Sequence, residues 1–315
     1  MSRLLTWFST KNGKRFTRSC VGIAIASAFS FQIAINGPCL EKYREIFQIY
    51  RFGKEKPLSA EVQGLVQDVL NQCKISEEEK KKLRFFNVVG HNVTHAGGTN
   101  SPWGAAIGIP FTFEKAEEVD FSQLKIVGKE EIDWIVDGQE LMEALIISDK
   151  AKKFALMREI YSCDFLPVLE NSALAAFCVF LPAEFIRKIN MTSSNFRKWS
   201  FLRRSIFYSV LYGFGFALYK CLHDPLKHLN DLKCDKLSAE AGPDYLEGGI
   251  EFYAKSLEKN QALRQLLGPR GKKMFTEKGN EEYYIFPPRL PLSKRLDTLR
   301  KMKQAQEDTN VSTQK

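Results

Sequence analysis

The stretch that decides the fold runs from Phe165 to Leu222. It reads FLPVLENSALAAFCVFLPAEFI over Phe165–Ile186, RKINMTSSNFRKWSFLRR over Arg187–Arg204, and SIFYSVLYGFGFALYKCL over Ser205–Leu222. Two apolar runs of membrane-crossing length flank a connection with Arg187, Lys188, Arg197, Lys198, Arg203 and Arg204 and no acid. Basic residues collect in loops on one side of a membrane, so the pattern predicts an antiparallel membrane hairpin with its loop on the positive side. A pair of buried soluble helices would share the hydrophobicity; the charge of the connection favours the membrane. Tyr208, Tyr212 and Tyr219 suit an interface, and Gly213 and Gly215 permit close helix contact. Glu170 and Asn171 interrupt the first run. A carboxylate at the centre of a span costs roughly 2.5–3.5 kcal/mol and usually faces a partner. Glu170 lies near the run's end, where snorkelling to water also accounts for it; it is the candidate intramembrane polar contact.

Towards the N-terminus, Ser19–Ile35 reads SCVGIAIASAFSFQIAI and is closed by Asn36, Gly37 and Pro38. Its length is near the minimum for ~30 Å of hydrocarbon at 1.5 Å per residue. Before it stand Arg3, Lys11, Lys14, Arg15 and Arg18, and the first acid is Glu41. A cleaved signal peptide is the rival reading; the length favours an uncleaved anchor, and the acid-free start also suits mitochondrial targeting. The expected organisation is a basic N-terminus (1–18), a first span (19–36), a soluble α+β region (37–164), a second span (165–186), the basic loop (187–204), a third span (205–222), a soluble helical region packing on the first (223–303), and a disordered tail (304–315). The N-terminus and the basic loop then share the positive side. Glu41–Asp164 and the segment after His223 share the other.

Of the 315 residues 44% are apolar, enough for one sizeable core plus spans, and the net charge is +9. The basic clusters flank apolar runs instead of interleaving with aromatics, which argues against a nucleic-acid partner. The seven cysteines, Cys20, Cys39, Cys73, Cys163, Cys178, Cys221 and Cys234, form no CxxC pair. No zinc ribbon or disulfide framework is legible, and a single disulfide remains compatible with an oxidising space.

In the soluble region Ser59 starts a helix carrying Val62, Leu65, Val66, Val69, Leu70 and Cys73 at helical spacing, and Ser76 starts a second. Phe85–Val89 and Ala105–Phe113 read as strands, with Leu124–Val127 and Asp133–Val136 as further candidates. Ser148 caps a helix through Cys163 that is expected to run into the second span. Pro225–Leu237 and Asp244–Leu267 read as helices, the second ended by Gly268-Pro269.

His91-Asn-Val-Thr-His95 has the spacing of a zincin HExxH motif, in which a helix brings two imidazoles to one face and the glutamate activates a metal-bound water. Here Asn92 replaces the base, and Gly90, Gly97 and Gly98 argue against a helix. In an extended segment the two histidines stand ~13 Å apart, too far for one zinc, so the segment reads as a loop beside a strand. Cys221 and His223 near a helix end read as incidental. No nucleophile elbow, P-loop or dinucleotide fingerprint is present. No catalytic residue, metal site or cofactor is expected.

Three segments carry a resemblance. Gly248–Asn280 (GGIEFYAKSLEKNQALRQLLGPRGKKMFTEKGN), Lys153–Tyr161 (KFALMREIY) and Gly104–Phe113 (GAAIGIPFTF) are similar to the transmembrane protein 177 family of the mitochondrial inner membrane, over roughly Pro57–Leu299. The resemblance implies a non-enzymatic role in stabilising newly made cytochrome c oxidase subunit 2. It also implies partnership with that subunit and its assembly factors, and a soluble domain facing the intermembrane space.

The order of anchor, strands, KKFALMREIYS helix, membrane hairpin and GGIEFYAKSL helix also resembles the membrane-bound M48 metallopeptidases. On that pattern Arg158 stands where the first histidine belongs, Glu159 at the glutamate and Ser162 at the second histidine. Arginine has no lone pair for zinc and serine is a poor ligand, so the resemblance implies a peptidase scaffold with a degenerate site. Glu240, Asp244, Glu247 and Glu251 lie in its third-ligand region. The fold expected is α+β: a membrane-anchored small sheet with packed helices, plus one N-terminal span and a membrane helical hairpin. Three functions are open: an assembly factor, a peptidase with altered ligands or a cysteine enzyme, and a lipid-handling protein. The candidate partner surface is Glu251, Lys255 and Glu258. Arg270–Lys273 forms a basic run able to meet membrane lipid, although a solvated loop is commoner.

Overall fold

The computed structural model describes residues 7–8, 10–88, 90, 92–114, 138–283 and 287–313. These residues are mostly helical with two small sheets, and the chain divides into two compact units, Met1–Cys39 with Phe165–Pro225, and Leu40–Asp164 with Leu226–Lys315.

The first unit contains α1 (Lys11–Asn36), α7 (Leu166–Thr192), the short α8 (Ser194–Arg197) and the start of α9 (Phe201–Ala239). All three long helices are long and apolar enough to cross a membrane, so each expected span lies inside a longer helix. Thr10 caps α1 by accepting from the Gly13 amide, and α1 packs along α7. Phe177, Phe180, Phe214 and Phe216 are exposed, as lipid-facing side chains would be. Pro182, inside α7, cannot donate to the Cys178 carbonyl. A Cβ on Gly215 of α9 would sit 2.6 Å from that oxygen and 2.8 Å from Pro182 Cγ. Only glycine lets α9 come so near. Gly213, expected to share this role, faces open space. Polar side chains find one another in this unit: Asn190 Nδ2 donates to Tyr208 Oη at 2.9 Å, and Gln32 Nε2 to Tyr219 Oη at 3.3 Å. Glu184, inside the second expected span (165–186), is bound by Arg187 at 2.6 Å. Glu170 is exposed and has no hydrogen-bond or ion-pair partner among the described residues.

The second unit opens with α2 (Leu40–Phe47) and a hairpin of β1 (Tyr50–Arg51) and β2 (Lys54–Glu55), neither expected from the sequence. Then come α3 (Ala60–Gln72), α4 (Glu77–Lys81), β3 (Leu83–Val88), β4 (Thr94–Gly98), β5 (Gly104–Pro110), α5 (Gln139–Leu145), α6 (Asp149–Ser162), α10 (Pro243–Leu266), α11 (Pro269–Met274) and α12 (Leu292–Thr313). Ser59, Ser76 and Ser148 cap α3, α4 and α6 with their side chains, Ser76 in a reciprocal pair with Glu79. The sheet order is β3-β5-β4, with β3 parallel and β4 antiparallel to β5. Val62 and Val69 of α3, Ile107 and Ile109 of β5, Phe154 and Met157 of α6, Leu246 and Tyr253 of α10, and Leu299 of α12 form one core.

Several expectations change. The strand over Ala105–Phe113 ends at Pro110, and Phe111–Phe113 turn as a 3-10 helix. Of His91–His95, read as loop, Thr94 and His95 open strand β4 (Thr94–Gly98), whose glycines hid the alternation. Leu124–Val127 and Asp133–Val136 lie outside the described residues, as does His91. α6 does not run into the second span. Cys163 turns at φ −76°, ψ 56°, its carbonyl accepts from the Thr99 amide at 3.0 Å, and Pro167 in the first turn of α7 fits a fresh helix start. Pro225, expected to open a helix, lies inside α9. The tail expected to be disordered from Gln304 continues α12 to Thr313. Leu296 and Leu299 anchor α12 in the core, and once a helix is nucleated each further residue adds a bond.

Candidate functional site

The charged residues buried deepest in the second unit, Asp235, Glu159 and Arg295, converge where α6, α9, α10 and α12 meet. Arg158 of α6 binds the carboxylate of its neighbour Glu159, and its Nη2 donates to Asp231 Oδ1 at 3.1 Å. Its Nε stands 3.2 Å from Asp235 Oδ1. Asp231 and Asp235 are four residues apart, on one face of α9. Arg295 of α12 clasps Asp235 through two bonds, Nε to Oδ2 at 2.7 Å and Nη2 to Oδ1 at 2.6 Å, the forked geometry that favours guanidinium over ammonium. Tyr253 of α10 donates to Asp235 Oδ1 at 2.6 Å, and the Arg295 guanidinium lies over its ring at 4.8 Å. On the other side of Glu159, His95 Nδ1 of β4 stands 2.5 Å from Oε2.

Two guanidinium groups thus meet three carboxylates. Burial alone would raise the Glu159 pKa, but the Arg158 charge beside it and the His95 hydrogen bond outweigh burial and hold it at about 2. Burial pushes the Cys163 and Cys234 thiols up, away from the nucleophilic thiolate. The arrangement is a clamp: each carboxylate is engaged by an arginine, and four helices are tied through it.

The degenerate zincin positions come together here only in part. Arg158 and Glu159 form the centre of the clamp, whereas the Ser162 hydroxyl donates back to the Arg158 carbonyl of its own helix at 2.9 Å. The acids of the supposed third-ligand region are elsewhere. Lys150 Nζ binds Asp244 at 2.7 Å and Glu247 at 2.9 Å. Glu251 accepts from the Ser148 amide at 2.8 Å and its hydroxyl at 2.5 Å, at the positive end of α6. Glu251, expected in the partner surface, thus also fastens α6 to α10. Lys255 reaches Glu258 at 3.0 Å and the Glu143 carbonyl at 3.4 Å, leaving Glu258 as the exposed member of that trio. His223 pairs with Asp224 at 2.9 Å, and Cys221 is exposed. Among the described residues no three His, Cys, Asp or Glu side chains are placed to hold a metal ion. Sequence reading missed Asp231, Asp235, Tyr253, Arg295 and the approach of His95. The only signal was the i, i+4 pair of aspartates on an otherwise amphipathic helix.

Comparison with known proteins adds a family. The model for "Transmembrane protein 177" matches residues 8–314. Similar proteins of that name include one from Xenopus laevis, 28% identical over 296 residues and covering 91% of this chain and 92% of the relative. The one from Homo sapiens is 28% identical over 266 residues, covering 82% and 83%. An uncharacterized protein of Caenorhabditis elegans is 27% identical over 130 residues, 41% of this chain and 39% of its own. No solved structure matches the chain.

Proposed function

We propose a function on one premise: the chain belongs to the transmembrane protein 177 family. On this reading it is a multi-pass protein of the mitochondrial inner membrane that binds newly made cytochrome c oxidase subunit 2, stabilises it, and passes it to its assembly factors. The role is non-enzymatic. The observation that carries this is the chemistry of the clamp: at the one place where a peptidase would keep its ligands free, Arg158 supplies a permanent cation and the carboxylates are bound to arginines. Such a core holds shape and keeps its carboxylates engaged by arginines. Three membrane-length helices and a second compact unit with its own core suit a client with both a span and a soluble domain, because two weak contacts on one chain raise effective concentration.

Deletion of the gene tests the role directly. Subunit 2 is expected to turn over faster and to co-purify with the restored protein. Unchanged subunit 2 level, turnover and co-purification would sink it. Elemental analysis separates it from a peptidase: about one zinc per chain, lost on His95→Ala or Glu159→Gln, would favour the enzyme.

A further inference from the structure

We propose that the hairpin tip Tyr50–Lys54, together with Ile46 and Phe47 of α2, is a monotopic membrane anchor that enters an anionic headgroup layer. Phe52 is 95% exposed, and Ile46 75%. Phe47 and Tyr50 are exposed too. Tyr50 Oη donates to the Glu45 carbonyl at 3.2 Å, which ties the base of the hairpin to α2 beside Ile46. The tip is a two-residue turn in which Phe52 and Gly53 have φ of 53° and 75°. A turn of this kind favours asparagine or glycine, so the phenylalanine answers to neither local conformation nor packing.

The charges around it point to the partner. Glu41 and Glu55 are bound by Arg44, and Glu45 by Lys42. Arg51 and Lys54, which bracket the tip, have no acidic partner among the described residues, and the Arg51 guanidinium sits 5.8 Å from the Phe52 ring centroid. An aromatic projecting from between two cations suits the boundary between acyl chains and anionic headgroups, where the ring leaves water and each cation gains attraction. A single projecting ring on a narrow hairpin has little of the packed area that a protein partner needs. The hairpin is also tethered near a bilayer. Membrane-length helix α1 ends at Asn36 and α2 starts at Leu40, so the chain from Asn36 to Phe52 reaches at most about 40 Å. The inference rests on α1 being a span and is independent of the client.

The full chain carrying Phe52→Trp, reconstituted in phosphatidylcholine vesicles with and without phosphatidylglycerol, tests it against the unsubstituted chain. The added indole is expected to emit to the blue of a water-exposed one, and to be quenched by lipids brominated near the headgroup. Both effects should grow with phosphatidylglycerol and be lost when Arg51→Glu and Lys54→Glu are added. An indole that emits as in water and escapes quenching in both vesicles overturns the anchor. Burial that ignores lipid charge and the two reversals overturns the headgroup preference. A tip that stays wet in vesicles yet is protected from hydrogen exchange in native membranes would make it a protein-docking site instead.

Discussion

Arg158 is surrounded by carboxylates from Glu159, Asp231 and Asp235, and Glu159 owes its low pKa to that charge. The unfolded chain takes up a proton at Glu159 near the ordinary 4.5, the folded protein only at about 2. The unfolded state therefore binds the extra proton first. The stabilisation is complete above the unfolded value and drains away as pH falls between 4.5 and 2, by about 3 kcal/mol in all. Unfolding of the detergent-solubilised protein followed across that window should show this loss, and Glu159→Gln should flatten it. Arg158→Leu is expected to cost about 3–5 kcal/mol near neutral pH, because breaking a buried ion set strands the remaining charges. It should also shrink the acid-linked loss, since Glu159 then lacks the cation that lowers it. An Arg158→Leu protein as stable as the parent would show that the clamp contributes nothing. Lys259 has the opposite sign. Burial lowers it from 10.5 to about 8, although Glu281 partly opposes this, and its ammonium donates to Asn92 Oδ1 at 2.8 Å. Below the folded value the buried charge costs stability in full; as pH rises from about 8 to 10.5 the cost disappears. Lys259→Met should therefore stabilise the protein at pH 7 by up to about 3 kcal/mol, with the gain vanishing toward pH 10. Asn92 is exposed and turns to water.

The element that ties the second unit together is α10, and its crossing with α6 depends on Gly248. A Cβ there would fall 2.2 Å from the Lys150 carbonyl oxygen, and one on Gly249 would fall 2.7 Å from Phe154 and Leu299 side-chain carbons. The backbone of α6 cannot yield as a side-chain tip can. Gly248→Ala should cost about 1–3 kcal/mol through overpacking, more than Gly249→Ala, whose neighbours have rotamers to change. Thermal unfolding midpoints of the two variants give the order, and an unperturbed Gly248→Ala would mean that the helices have room to part. The same reasoning gives the Gly-Gly pair at the head of the family-like block its physical meaning. At Gly249 the block 248–280 meets Phe154 of the segment 153–161, which shares the resemblance.

For the molecule as a whole, the compact unit formed by Leu40–Asp164 and Leu226–Lys315 requires the intervening chain to return to the side it left. On the proposed reading α7 and the first part of α9 would cross as a pair, and α1 would carry the N-terminus to the opposite side. If the protein lies in the mitochondrial inner membrane as proposed, with positive residues kept inside, a tag at Lys315 should become protease-sensitive once the outer membrane is ruptured. A tag within Arg187–Arg204 should stay protected. A protected C-terminus under those conditions would reverse the orientation.

Sequence alone specified the three membrane-length helices, because apolar length and flanking charge act residue by residue and need no partner. It determined the caps at Ser59, Ser76 and Ser148 for the same reason, since a capping hydroxyl bonds within three residues of itself. Where glycine suppressed the local pattern, at β4, or where helix propagation outran a polar composition, at α12, local reading failed. The joining of Arg158 to Asp231, Asp235 and Arg295, the capture of Glu251 by Ser148 and the approach of His95 to Glu159 were decided only by tertiary structure. Each depends on residues sixty or more positions apart being brought within 4 Å. A buried charge has no signature in its own neighbourhood: the chain spells an arginine in the same way whether water or three carboxylates will surround it.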